Sequence, residues 1–287
     1  MADNAFQIQY RKEAIMGFEQ GVSLLRHAVT TEVVIKGNQA TFLVADSGSA
    51  AAVTRGLNGR IPARSDNMNQ YTATLAEWHD LVEKTSFNIF ASQGNGATMM
   101  QKTSLKVLNR KTDQDIIGEL QNGTNYAGTA AVQASLNLVM SVWTILGNNQ
   151  VPMEDQENLF FVATPAFFAY LMQIPEFTKA SYVEVAVLSK EMPGTQIVRK
   201  YRAWAGFLWI CHPNLPGAGT ASETCFAFHR DAIGHAINTG EIEAVAGYHE
   251  RQNFSWARTS GYMGPKLLQN KGVVQVRHDG SKMVATA

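Results

Sequence analysis

The sequence predicts an α+β protein too large for one compact core, and three observations carry that expectation. Helix-period and strand-period segments are mixed along the chain without strict β-α-β alternation. The 287 residues exceed the ~250 at which a single core stops growing. Charged residues make up 17% of the chain, against about 25% in typical soluble domains. Charge is depleted in the cores of protein interfaces, so this composition leans toward a chain that covers much of its surface with copies of itself.

At the amino end, Ile15, Phe18, Val22, Leu25 and Val29 step by three and four residues and predict a helix with one apolar stripe. The stripe covers either its own domain or a neighbouring subunit; in the second case Phe18, Val22 and Leu25 are the contact residues. Thr31–Lys36 and Gln39–Ala45, joined by Gly37-Asn38, predict a β-hairpin. From Asp46 to Asn69 small and polar residues dominate, punctuated by Gly48, Gly56, Gly59 and Pro62. Strand-like residues resume at Tyr71–Leu75, so the region reads as a long two-stranded finger with a flexible tip. Arg55, Arg60 and Arg64 lie along that tip between Asp46 and Asp66. They could grip phosphate, but the bracketing acids favour salt bridges with another chain.

Thr98–Leu120 predicts a long helix touched from more than one side, because Leu105, Thr112, Ile116 and Leu120 share a sector that Met100 and Val107 leave. Asn122-Gly123 stops it. A second helix is expected over Thr129–Leu146, with Val132, Leu136, Val139, Trp143 and Leu146 as its stripe and Gly147-Asn148 as its end. Leu159–Ala163 reads as a buried strand. Thr164 then offers a cap and Pro165 a first helical position for a helix carrying Phe167, Phe168, Tyr170 and Leu171. Ala203–Ile210 predicts a strand aromatic on both faces, followed by a loop with Pro213, Pro216, Gly217 and Gly219. Further strands are expected at Thr224–His229, Ile242–Tyr248, Phe254–Arg258 and Val273–Arg277.

Chemistry-bearing patterns are scarce. With 24 basic and 24 acidic residues the formal charge is zero, which argues against reading nucleic acid by phosphate contact but not against enclosing it. Cys211 and Cys225 lack metal or redox spacing, and a reducing compartment is the simpler expectation. The amino end lacks the basic-then-apolar order of a signal peptide. The longest apolar stretch, Phe160–Met172, is too short to span a bilayer, so no membrane partner is expected. None of the seven histidines has the helical zinc spacing, and the densest polar cluster, His229, Asp231 and His235, at the end of a strand and the start of an expected helix, is expected to be structural. No serine sits in a nucleophile elbow. No Gly-Lys pair exists to cradle phosphate, and Gly94-Asn95-Gly96 and Gly217-Ala218-Gly219 each lack the third glycine of a dinucleotide loop. Glu241 and Glu243 share a strand face but read as a solvated edge. No catalytic, cofactor or metal site is expected.

Taken in order, these parts resemble a tailed-bacteriophage major capsid protein of the Hong Kong 97-like fold. Glu19-Gln20-Gly21-Val22-Ser23-Leu24-Leu25-Arg26 is similar to that family's opening signature. Asn109-Arg110-Lys111-Thr112-Asp113-Gln114-Asp115-Ile116-Ile117 is similar to its end-of-spine pattern. The resemblance implies an N-terminal arm at 1–29, an extended β-hairpin loop at 30–80 and a peripheral domain with the spine helix at 81–124. It further implies an axial domain at 125–240, and return strands with a final axial strand at 241–287. It implies hexamers and pentamers closing an icosahedral shell around double-stranded DNA without sequence-specific binding, a portal protein, and assembly in the host cytoplasm. The chain begins almost at the arm, from which a separate scaffolding protein is expected. The finger tip Asp46–Asn69 has no lysine, so no covalent crosslinking is expected from it. An encapsulin-like cellular compartment, an α+β hydrolase and a non-capsid virion or tail protein remain as alternatives.

Overall fold

Leu159–Ala163 is a run of five apolar side chains, and every one is buried. The computed structural model describes residues 18–34, 36–47, 50–56, 58–64, 67–85, 88, 96–128, 132–178, 184–190 and 197–284. Within them the chain runs β1 (Thr30–Val34), β2 (Gln39–Asp46), β3 (Asn67–Thr74), β4 (Ala76–Thr85), α1 (Gly96–Leu120), β5 (Asn125–Ala127), α2 (Leu136–Asn148), β6 (Leu159–Ala163), α3 (Pro165–Leu171), α4 (Pro175–Thr178), β7 (Glu184–Lys190), β8 (Ile197–Trp204), β9 (Phe207–Cys211), β10 (Glu223–His229), β11 (Ile233–His249), β12 (Phe254–Leu267), β13 (Val273–His278) and α5 (Ser281–Val284). One sheet has seven strands in the order β5-β13-β10-β6-β9-β8-β7, another has four in the order β1-β11-β12-β4, and β2 pairs with β3. The class is α+β, as expected.

The apolar run of β6 follows from its place between β10 and β9, where both faces are covered and no alternation is needed. At its end the Thr164 hydroxyl accepts from the Phe167 amide at 3.2 Å and Pro165 opens α3. Phe161 stacks on Trp209 at 4.2 Å, and α2 adds Leu138, Val139, Val142 and Leu146 to the same core. That helix is shorter than expected. Ser135 caps it by accepting from the Leu138 amide at 3.3 Å, and burial of Leu138 and Val142 turns Val132 and Trp143 outward. Thr129 to Ala131 lie outside the described residues.

The single strand expected over Ala203–Ile210 is instead the hairpin of β8 and β9. Ala205 and Gly206 both take positive φ, 52° and 78°, the geometry of a two-residue turn whose twist matches its strands. The hairpin expected between Thr31–Lys36 and Gln39–Ala45 does not form either. β1 pairs parallel with β11, from Thr30 opposite Gly234, while β2 pairs with β3 from Gln39–Thr74 to Asp46–Asn67. This arrangement buries Val34, Ala40, Ala73 and Ala236 together, which a local hairpin would leave in water. β4, which had no sequence signal, pairs with β12 from Ala76–Met263 to Thr85–Phe254. β11 also starts where a helix was expected after His229.

Helix α1 is shared between two cores, as its split apolar pattern implied. Leu108 meets Ile237 and Met263 over the four-stranded sheet, and Ile116, Ile117 and Leu120 enter the seven-stranded core. The assignment of its faces changes: Met100 is buried, and Leu105 and Val107 are exposed. Cys211 lies opposite Ala163 on one side of β6, while β10, which carries Cys225, lies on the other. Two strand spacings put their Cα atoms about 10 Å apart, beyond the ~7 Å reach of a disulfide, and both thiols are free. Burial pushes the Cys225 thiol up to about 12.

Two features of this fold have measurable consequences. A Cβ on Gly264 would lie 2.0 Å from the Thr74 carbonyl oxygen, a backbone group that cannot rotate aside. Gly264→Ala is expected to lower subunit stability by about 1–3 kcal/mol, seen as a lower urea midpoint at unchanged slope. His235 on β11 is buried with neither ring nitrogen hydrogen-bonded. Burial first, and then the charge of Arg26, hold its pKa down to about 4 from 6.5. The unfolded chain therefore takes up a proton near 6.5 that the folded chain refuses until about 4. Stability from this site is complete above 6.5 and falls by up to roughly 3 kcal/mol as pH drops toward 4. Urea unfolding at pH 7 and 4.5 is expected to show most of that loss, and His235→Leu to remove it; equal pH slopes in the two proteins would refute the assignment.

Candidate assembly interface

Asp113 is a carboxylate fully buried on α1, and what surrounds it is the amino-terminal arm. Its Oδ1 accepts from the Ser23 hydroxyl at 2.5 Å and the Leu25 amide at 3.1 Å. Its Oδ2 accepts from the Leu24 amide at 2.9 Å, from the Gln20 side-chain amide, and from His212 Nε2 at 3.2 Å. Nearby, Asn109 Nδ2 donates to the Gly21 carbonyl at 3.0 Å. Glu19 takes Arg110 at 2.6 Å and Lys106 at 3.2 Å, and hydrogen bonds from Arg110 and then Lys106 hold its carboxyl below the usual range.

These bonds explain why the arm is not helical where it is described. From Phe18 to Val29 the chain makes bends and turns. A buried carboxylate that takes the Leu24 and Leu25 amides outcompetes the carbonyls that a helix would offer them. The periodic stripe therefore splits. Leu25, Ala28 and Val29 are buried in the subunit's own main core, so Leu25 cannot touch a neighbour and that assignment is corrected. Phe18 and Val22 stand exposed, at 110% and 52% of their full areas. Ile15 lies outside the described residues. Periodicity alone gives Asp113 no role. The available signal was an acid on the helix face four residues before Ile117, with Asn109 rather than a base four residues behind it.

The finger packs on the body at its root and is exposed in the described part of its tip. Phe42 lies over Gly234, where a Cβ would come within 2.9 Å of its ring. Beyond Asp46 the described tip residues are exposed, including Val53, Arg55, Arg60, Ile61 and Arg64. A turn at its extremity is closed by Gly56 donating to Arg60 O at 3.0 Å and Gly59 to Gly56 O at 2.9 Å. Asp66 lies outside the described residues. On the four-stranded sheet, the face turned away from α1 carries Glu77, Leu81 and Glu83 of β4, Arg258 and Tyr262 of β12 and Glu243 of β11, all exposed. His79 on that face is held by Glu77 at 2.8 Å and by the Ser260 hydroxyl at 2.9 Å. The Glu241 side chain lies outside the described residues.

The polar clusters serve the fold. His229 caps the turn Arg230–Ala232, its Nδ1 accepting from the Asp231 amide at 3.2 Å, while His235 sits apart on β11. A cleft of about 290 Å³ lies between the end of β2 at Ala45 and Asp46 and the chain after α2, with His229 and Lys271 in its wall. Thr164, His278 and Glu223 form a hydroxyl–imidazole–carboxylate set, all buried. The Thr164 hydroxyl gives its proton to Glu223 at 2.6 Å and His278 Nε2 lies 2.7 Å from the same oxygen, so the hydroxyl is spent on the carboxylate and no nucleophile is poised. Burial holds the His278 pKa below its usual range, against the opposing pull of Glu223. Among the described residues no group of three or more His, Cys, Asp or Glu is placed to hold a metal, and no helix is long and apolar enough to cross a membrane.

Comparison with known proteins places this geometry. No curated protein sequence matches the chain. In fold it is similar to the capsid of cyanophage P-SCSP1u, with a TM-score of 0.71 at 11% identity over 96% of this chain and 93% of the other. It is similar to the capsid of Ralstonia phage GP4, at 0.69 and 10% identity over 96% of each. A structure of Mycobacterium phage Che8 matches at 0.68 and 16% identity, over 96% of this chain and 98% of that one. These likenesses establish the Hong Kong 97-like fold and do not favour the compartment, hydrolase or tail-protein alternatives. The family described as phage capsid protein matches residues 2–280, and by that match the chain belongs to it, as a major capsid protein of the tailed-phage type.

Proposed function

We propose that copies of this chain assemble into hexamers and pentamers of a closed icosahedral shell around double-stranded DNA, with no catalytic step of their own. The observation that supports this reading is that the described parts of the arm and the finger are anchored in the subunit and still leave large apolar side chains uncovered. Phe18 just before, and Val22 within, the segment clamped on Asp113 are exposed, and Val53 and Ile61 are exposed at the finger tip. Such surfaces are stabilised only by burial, at about 25 cal/mol per Å². A stable pairwise contact needs about 1,600 Å² in total. The domain division follows the same logic: arm 1–29, finger 30–80, peripheral domain 81–124, axial domain 125–240, and 241–287 carrying the peripheral return strands and a final axial strand. A separate scaffolding protein, a portal protein and assembly in the host cytoplasm belong to this reading.

The finger arginines find a complementary surface on a second copy. Glu77, Glu83 and Glu243 on the outer face of the four-stranded sheet outnumber Arg258 there, and the tip offers Arg55, Arg60 and Arg64. Each exposed pair contributes less than about 1 kcal/mol, so the charges fix register while Val53 and Ile61 add burial. The neutral formal charge suits a lining that does not grip the genome.

Excising residues 50–64 is expected to leave subunit melting unchanged and to abolish closed shells in electron micrographs; normal particles from that deletion would refute the role of the finger. Arg55→Glu with Arg60→Glu is expected to do the same, with partial rescue by Glu77→Lys with Glu83→Lys. Phe18→Asp with Val22→Asp is expected to impair assembly while moving subunit stability by no more than about 0.5 kcal/mol. Leu25→Ala, in the core, is expected to cost about 2–5 kcal/mol.

A further inference from the structure

Three pieces of chain far apart in sequence meet on one carboxylate. Asp113 belongs to α1, Gln20–Leu25 to the arm, and His212 to the end of the seven-stranded sheet. His212 is itself fixed, its amide donating to the Ala163 carbonyl at 2.9 Å. Its Nδ1 accepts from the Asn214 amide at 3.2 Å, so Nε2 carries the proton and donates to Asp113. Gln20 spans the same gap with both ends of its side chain, donating to Asp113 and accepting from Asn214 Nδ2 at 2.9 Å. Elsewhere the helix meets that sheet through the apolar Ile116, Ile117 and Leu120, whose contacts are non-directional, and just past its end through Gln275, which donates to the Gln121 and Gly123 carbonyls at 2.6 and 2.7 Å. Only the hydrogen bonds specify an angle.

We propose that Asp113 is the pin of a clip in which the arm segment Gln20–Leu25 is wedged between the spine helix and the axial sheet, and that this clip sets the angle between those two units in every subunit of the shell. The inference rests on the shell-building reading. An error in that angle repeats in every copy, so it emerges as a change of curvature. The arm is then a spacer that determines shell geometry as well as a surface for neighbours.

Asp113→Asn separates this role from simple packing, because it keeps the shape and removes one acceptor oxygen. If the amide nitrogen replaces Oδ2, it faces the Leu24 amide; if it replaces Oδ1, it faces the Leu25 amide. Either orientation sets a donor against a backbone donor that cannot change its role. The variant, produced with the phage's other assembly proteins, is expected to fold, to exchange its Leu24 and Leu25 amide hydrogens about tenfold faster or more, and to give shells of altered or mixed diameter. Gln20→Ala, which removes the span and disturbs no core residue, is expected to show the same effects more weakly and decides the matter if Asp113→Asn does not fold. Wild-type diameters and wild-type exchange in the deciding variant would overturn the clip. Failure of the unaltered protein to form shells at all would instead overturn the reading it rests on.

Discussion

A carboxylate removed from water must be matched by donors, or its burial costs several kcal/mol. Asp113 meets that demand with two backbone amides, a hydroxyl, an amide side chain and an imidazole. Much else follows from where those donors come from. Drawing Leu24 and Leu25 to the helix places Leu25, Ala28 and Val29 in the main core. From there β1 runs parallel beside β11, and that path fixes where the finger leaves the body. The same bonds leave Phe18 exposed. One buried acid thus ties the direction of the arm to the position of the finger.

The elements legible in the sequence were those whose signals are local. β6 declared itself by its apolar run, α3 by the Thr164-Pro165 step, and the long helix by two apolar sectors that two cores require. What stayed hidden was long-range. Parallel pairing of β1 with β11 leaves no turn signature, and Gly37-Asn38, which favours a tight hairpin, serves as the exit from β1 instead. The Ala205-Gly206 turn was missed because the aromatic run continues across it on both sides. The arm shows the limit most plainly. Its three-and-four spacing is a real helical pattern, yet a donor-hungry carboxylate almost ninety positions away takes the amides such a helix needs.

Of the assembly residues read from sequence, Phe18, Val22 and the three finger arginines lie on the surface, and Leu25 does not. Spacing could not tell them apart, since all three arm positions share one stripe. The distinction is made by the clamp, which turns the chain between Val22 and Leu25. The two stretches that carried the family resemblance, Glu19–Arg26 and Asn109–Ile117, prove to be the two halves of that clamp. Their likeness to the family was recognisable as pattern before its physical cause was visible. That cause is complementarity: an acidic arm residue for Lys106 and Arg110, donors for Asp113, a carbonyl for Asn109.

Anchored roots with uncovered ends solve a specific problem in building a closed shell. An extension free along its whole length would lose conformational entropy of about 1–2 kcal/mol per residue on docking, and many short contacts could not offset it. Fixing the root inside the subunit moves part of that cost into folding, before any neighbour arrives. A neighbour's contacts then carry less of that cost, so contacts of modest area hold. Because each subunit is gripped by several others, leaving requires breaking many such contacts at once. The low charge content fits this division, since surfaces destined for burial carry apolar side chains and keep their few charges for register. In the proposed shell, assembly and subunit stability are therefore carried by different residues, which is why Leu25 and Phe18, seven positions apart on one apparent stripe, belong to different problems.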